Sequence, residues 1–112
     1  MNIGFTGSRS IKKLTPKMIE TLEILGIFDT LIHGGARGAD TLVEDYLLGK
    51  GMRVRQIRPV NPSIKTHYLY RNIEIITQSD YLIAFWDGAS SGTKFVIDYA
   101  KARGKNVVVV YG

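Results

Sequence analysis

Five short apolar runs alternate with four amphipathic segments along this chain, and no other feature constrains the fold as strongly. Strands are expected at Asn2 to Thr6, Thr30 to His33, Arg53 to Ile57, Tyr81 to Trp86 and Val107 to Tyr111. Thr15-Pro16 is a helix start, with threonine as cap and proline at the first helical position. Met18, Ile19, Leu22 and Leu25 then give a helical stripe that Gly26 ends. Asp40 to Gly51 reads as a second helix, with Leu42, Val43, Tyr46 and Leu47 on one face. His67 to Thr77 is a third, with Leu69, Ile73 and Ile76 in line. Lys94 to Arg103 is a fourth, with Phe95, Tyr99 and Ala102 on one side and Gly104 closing it. Pro59 and Pro62 mark a loop.

Strand and helix in strict alternation imply a parallel sheet with helices on both faces. The unbroken run Val107-Val108-Val109-Val110 reads as a strand buried on both sides. The expected fold class is α/β: a Rossmann-like three-layer fold with a five-stranded parallel sheet, in a single domain over residues 1–112. If the first three strands wind outward and the fourth returns beside the first, the strand order is 3-2-1-4-5. A ligand crevice then opens at the carboxyl ends of strands one and four.

Three glycine-rich turns fall where that topology wants a site. Gly4-Phe5-Thr6-Gly7-Ser8-Arg9 ends the first strand, and His33-Gly34-Gly35-Ala36-Arg37-Gly38-Ala39-Asp40 follows the second. Asp87-Gly88-Ala89-Ser90-Ser91-Gly92-Thr93 follows the fourth. Glycine lets backbone N–H groups come close to a ligand, and a following helix points its positive end there. An arginine in such a turn adds a planar fork for phosphate or carboxylate. Gly7, Ser8 and Arg9 are therefore candidate ligand residues, although a plain turn into the first helix is the competing reading. Gly34, Gly35, Arg37 and Gly38 form the strongest local signal. Asp40 belongs with them or caps the next helix. His33 either touches ligand or is an ordinary hydrogen-bonded histidine. Ser91, Gly92 and Thr93 offer donors at a helix start, Asp87 ends the fourth strand, and Trp86 either stacks a base or belongs to the core. Arg71 and Asn72 lie on the third helix, where a solvated arginine is the alternative.

Fifteen basic residues against ten acidic ones leave a net charge of +5, which favours anionic partners such as nucleotides, nucleic acid or phosphorylated metabolites. A solvated basic surface explains the charge equally well. No cysteine is present, so disulfides, thiolate metal sites and cysteine nucleophiles are excluded. No run has the length to span a membrane, a signal peptide is not expected, and a cytoplasmic location is. The P-loop pattern, the full Gly-x-Gly-x-x-Gly fingerprint and the Gly-x-Ser-x-Gly elbow are all missing. His33 and His67 lack metal-ligand spacing with carboxylates, so neither a metal nor a resident cofactor is expected.

Taken together, the glycine turns, Arg71-Asn72 and Asp80-Tyr81-Leu82-Ile83-Ala84-Phe85-Trp86-Asp87-Gly88 with Ser91-Gly92-Thr93 resemble the SLOG superfamily, closest to its YspA-like branch. The resemblance runs from about Asn2 to Ala100. It implies a Rossmann-like fold, a nucleotide or nucleotide-derived ligand, and assembly into dimers or larger homo-oligomers. Relatives include the Lonely Guy phosphoribohydrolases and the DNA-processing protein DprA. Lonely Guy enzymes use Pro-Gly-Gly-x-Gly-Thr-x-x-Glu; here Gly92-Thr93 matches, but Val96 stands at the glutamate position. The resemblance thus implies binding, and leaves family-type cleavage without its carboxylate unless Asp87 or Glu74 substitutes. The leading expectation is a protein that senses or sequesters a phosphorylated nucleotide-derived ligand, such as an ADP-ribose-type or cyclic-nucleotide signal. The alternatives are a nucleoside-monophosphate N-glycosidic phosphoribohydrolase and a single-stranded nucleic-acid binder, the latter resting on Tyr68 and Tyr70 beside Arg71.

Overall fold

A computed structural model describes residues 1–112. The chain runs β1 (Asn2–Gly7), α1 (Pro16–Glu23), β2 (Thr30–His33), α2 (Ala39–Gly49), β3 (Arg53–Gln56), α3 (Lys65–Gln78), β4 (Tyr81–Trp86), α4 (Ser91–Ala102) and β5 (Asn106–Tyr111). All neighbouring strands pair in parallel, in the order β3-β2-β1-β4-β5. The fold is the expected three-layer Rossmann-like α/β architecture. Register places Gly7 opposite Phe85, so β1 and β4 end together. Chain direction reverses its lateral progress at this pair, which is the switch point of the sheet.

Local chemistry sets the helix starts. Thr15 Oγ1 accepts from the Met18 amide at 3.3 Å, and Pro16 opens α1. α4 begins at Ser91, three residues before the expected Lys94, because Ser90 already has the extended backbone of a cap (φ −65°, ψ 125°). That shift matters, since it puts Ser91, Gly92 and Thr93 in the first helical turn.

Two unequal apolar layers hold the helices. Under α1 and α2, 14 buried residues form one cluster that includes Phe5, Met18, Leu22, Leu31, Val43, Leu47, Ile83 and Phe85. Phe5 and Phe85 meet edge to face at 5.0 Å. Under α3 and α4 the cluster has 4 buried residues: Ile76, Leu82, Val96 and Ala100. At about 1.5–3 kcal/mol per buried large side chain, the α1/α2 side supplies most of the hydrophobic stabilisation.

Three expectations about packing fail. α3 buries Ile75 and Ile76 rather than the stripe Leu69, Ile73 and Ile76, and Leu69, near its start and beyond the edge of the small cluster, is exposed. The valine run of β5 is not buried on both sides: Val110 is buried, but Val108 is 40% exposed. β5 is an edge strand, and α4 covers only part of one face; the strand buried on both sides is β4, from Leu82 to Phe85. The inner face of α4 is Thr93, Val96, Ile97 and Ala100, not Phe95, Tyr99 and Ala102. Phe95 is exposed and stacks at 5.9 Å on Tyr99, which is half-buried at the margin of the α3/α4 cluster. Aromatic residues drew the stripe to the wrong face, because a pair at i and i+4 satisfies the same periodicity outside as inside.

Candidate functional site

At the switch point, the ends of β1, β2 and β4, the middle of α3 and the start of α4 enclose a crevice of about 520 Å³. Thr6, Gly7, Arg9 and Ser10 come from the end of β1 and the following loop; Gly34, Ala36 and Asp40 come from the second glycine turn and α2. Arg71, Asn72 and Ile75 come from α3. Asp87, Ser90, Ser91, Gly92, Thr93 and Val96 come from the β4–α4 turn and helix. The size lies within the ~300–1,000 Å³ of pockets that hold whole small molecules.

Ser8 ties three segments together beneath this crevice. It is 1% exposed. Its Oγ accepts from the Asp87 amide at 3.0 Å and bonds the Ser90 hydroxyl at 3.1 Å. Its carbonyl accepts from the amides of Ile11 and Ala39, and its own amide donates to Phe85. Asp87 locks the neighbouring turn. Its Oδ1 accepts from the amides of Ala89 and Ser90, and its Oδ2 accepts from the Ser10 hydroxyl at 2.7 Å. The Ser10 bond first, then these amides, hold its carboxyl down to about 2. Trp86 braces the turn as well: its Nε1 donates to the Ser90 carbonyl at 3.0 Å, and its ring packs against Tyr111.

The glycines of the second turn make room for specific neighbours. A Cβ on Gly34 would strike the Arg71 guanidinium, whose Nη1 donates to the Gly34 carbonyl at 2.7 Å. Gly38 has φ +82°, and a Cβ there would lie 2.5 Å from the Arg9 carbonyl oxygen. At Gly7, a Cβ would collide with that of Ala39. The expectation that these glycines exist mainly for ligand approach is thereby corrected. Gly7 and Gly38 seat the β1 loop against the start of α2, and Gly34 seats Arg71.

Below the turn, His33 is completely buried. Its Nε2 meets Glu44 Oε1 at 3.0 Å, while its Nδ1 accepts from the Gly35 amide at 2.9 Å and lies 3.5 Å from Asp40 Oδ2. That pattern is the Nε2–H tautomer of a neutral imidazole. Burial opposes protonation, but Asp40 and Glu44 outweigh it and raise the pKa above 6.5. Asp40 is not the cap of α2; Gly38 occupies that position. Asp40 Oδ2 instead accepts from the Ala36 amide at 3.1 Å and closes the turn. Asp40 is only 4% exposed, and its Oδ1 has no hydrogen-bond partner. A buried carboxylate oxygen left unpaired is costly, so this atom is short of a donor.

Besides Arg9, the positive side of the crevice has two sources. Ser90 makes no side-chain cap bond, so the first-turn amides of α4 sit on crevice-lining residues without such a partner. Arg71 is the other. Its Nε donates to Asn72 Oδ1 at 2.8 Å, and its guanidinium lies 5.4 Å from the Tyr68 ring centre. Burial, and then the charges of Arg9 and Arg58, lower its pKa against the pull of Asp40.

Of the expected ligand residues, Gly7, Arg9, Gly34, Asp40, Arg71, Asn72, Asp87, Ser91, Gly92 and Thr93 line the crevice. Ser8, His33, Gly35, Arg37 and Gly38 do not. Ser8 and His33 are interior braces, Gly35 and Gly38 shape the turn, and Arg37 is exposed beside two other depressions outside the crevice, of about 590 and 210 Å³. Phe5, Thr6, Ser10, Ala36, Ile75 and Ser90 line it without having been singled out as ligand residues. Thr6, Ser10, Ala36 and Ser90 had a readable signal, since each adjoins a residue already chosen. Ile75 and Phe5 had none. Arg58 lies just beyond β3 and reaches the second turn through Gln56, whose Oε1 accepts from its Nε at 3.0 Å. No motif marks it.

Fold and site together define a doubly wound parallel α/β domain with an open crevice at its switch point. Comparison with protein-family models, curated proteins and solved structures finds no match to the chain. No helix is long and apolar enough to cross a membrane, and no group of histidines and carboxylates is arranged to hold a metal ion.

Proposed function

We propose that the protein binds a phosphorylated nucleotide-derived ligand in the β1–β4 crevice, as a sensor or sequestering protein of the SLOG type. The observation that carries this reading is an anion-receptive wall in a cavity much larger than an anion. The uncapped start of α4, Arg9 and the Arg71 guanidinium call for an anion. The crevice, at about 520 Å³, has room for far more than a bare phosphate, and Thr6, Asn72 and Ser91 on its walls offer polar groups to the rest of a ligand. A nucleotide answers both features, through its phosphate and through its ribose and base.

Retention of the ligand, rather than its cleavage, fits the carboxyl groups. Val96 is apolar and lines the crevice. Asp87, with its carboxyl held to about 2 and both oxygens engaged, has no proton to give near neutral pH. Calorimetry with AMP, ADP, ADP-ribose and a cyclic dinucleotide tests the reading, with chromatography of each mixture for released base. Saturable binding without base release is expected. Absence of saturable binding by every member in folded protein refutes the nucleotide reading, and release of free base refutes retention.

A further inference from the structure

Beside the crevice lies a second cavity of about 210 Å³, and four arginines line it: Arg9, Arg37, Arg58 and Arg71. No aspartate or glutamate lines it, and none of the four makes an ion pair within 4.0 Å. Tyr68 forms another part of the wall and stands under Arg71. After burial, Arg9 and Arg58 are what disfavour the charge on Arg71, so the cluster repels itself. Asp40 and Glu44 offset part of this repulsion from outside the cavity, but with no carboxylate on its wall four cations gathered there favour an anion between them. The volume is below that of pockets for whole small molecules, ~300–1,000 Å³, and ample for a phosphate group.

Arg9, Gly34, Ala36 and Arg71 line both this cavity and the crevice, so the two spaces share a wall. We infer that the cavity is a second phosphate subsite, and that the ligand of the crevice bears a second phosphoryl group that enters it. The ligand class is then a nucleoside diphosphate, a nucleoside bisphosphate or a pyrophosphate-linked nucleotide, rather than a simple monophosphate. This inference rests on the nucleotide reading for the rest of the ligand, but the cavity's preference for anions stands independently. It also gives Arg37 a role: outside the crevice, Arg37 faces the second phosphate.

Calorimetry compares AMP, ADP, adenosine 3′,5′-bisphosphate, inorganic pyrophosphate and a short single-stranded oligodeoxyadenylate. The proteins are the wild type, Arg37→Ala/Arg58→Ala, and Arg53→Ala at the far end of β3 as a control. In the wild type, ADP or the bisphosphate should bind about tenfold or more tightly than AMP, the scale of one charge-assisted contact. The double variant should lose that advantage while AMP affinity changes less than about threefold, since one exposed contact is not shared by AMP. Its melting temperature should not fall, because two mutually repelling charges are gone. Equal loss for AMP and the diphosphate, or an unchanged preference, overturns the subsite. Tightest binding by the oligonucleotide with a steep salt slope also overturns it, in favour of a nucleic-acid backbone. If no nucleotide binds but pyrophosphate saturates the wild type and not the double variant, the subsite stands and the nucleotide reading alone fails.

Discussion

Gly34→Ala should separate ligand binding from folding. Gly34 is not among the positive-φ glycines, so alanine suits the backbone and only the lost space matters. The added methyl occupies the position of the Arg71 guanidinium, with the Cζ atom 2.5 Å away. Arg71 is long and flexible, and it can leave. Leaving breaks its 2.7 Å bond to the Gly34 carbonyl, a loss of about 1.5–3 kcal/mol for a charged donor. Two gains oppose this. The cation recovers water, with the lost pull of Asp40 offsetting its relief from Arg9 and Arg58, and alanine lowers the entropy of the unfolded chain by about 0.4–1 kcal/mol. The net change in stability is then within about 1.5 kcal/mol, or a melting shift below ~12 °C for a domain of this size. The crevice loses its half-buried arginine, so ADP affinity should fall about ten- to a hundredfold. Chemical denaturation and calorimetry on Gly34→Ala, Arg71→Ala and the double variant form a closed cycle. If the methyl acts through Arg71, the double variant binds no more weakly than Arg71→Ala. Wild-type affinity in Gly34→Ala, or additive losses in the double variant, would falsify the claim that Gly34 exists to seat Arg71.

Ser8→Ala should destabilise the protein by about 1–3 kcal/mol, because the Asp87 amide and Ser90 hydroxyl lose a buried partner; a melting temperature within error of wild type contradicts the brace. His33 should titrate above 6.5, and its contribution to stability should be full below that value and fade as pH rises through the folded pKa. The Gly35 amide resonance should move with the same midpoint, since protonation removes its Nδ1 acceptor; a flat Gly35 shift, or a midpoint at or below 6.5, opposes this. Asp87 behaves with the opposite sign: its contribution is present above 3.8 and lost as pH falls through about 2. Asp87→Asn should flatten that acid limb in melting curves, and an unchanged limb points to other carboxyls.

The strand order was legible because each strand and helix has its own periodicity, and crossover handedness leaves few ways to connect them. Thr30 to His33 and Tyr81 to Trp86 read correctly to the residue, bounded as they are by glycine, aspartate or serine turns. Burial was less legible. Val107 to Val110 has the composition of a central strand, and only its place at the sheet edge leaves Val108 exposed. Within the site, residues were readable where they sit in a turn that follows a strand. Their division of labour was not. Ser8 and Arg9 are adjacent in sequence, yet one is a buried tie and the other lines the crevice. Gly34 and Gly38 look alike in the motif, and only the three-dimensional neighbours Arg71 and Arg9 tell them apart. Arg58 was invisible because its partners in the cluster are distant in sequence.

The Ser8 tie has a thermodynamic consequence for any ligand. Its oxygen atoms hold the β4–α4 turn and the start of α2 in place through bonds made entirely within the protein. Ordering a loop residue on association costs about 1–2 kcal/mol of backbone entropy, and here that cost is met when the chain folds. A ligand entering the crevice therefore meets walls already set, and its free energy goes into affinity rather than into assembling the receptor. Encounter should follow a single bimolecular step with no slower isomerisation after it. The same rigidity narrows the range of acceptable shapes, so that discrimination among related molecules arises from fit against fixed walls.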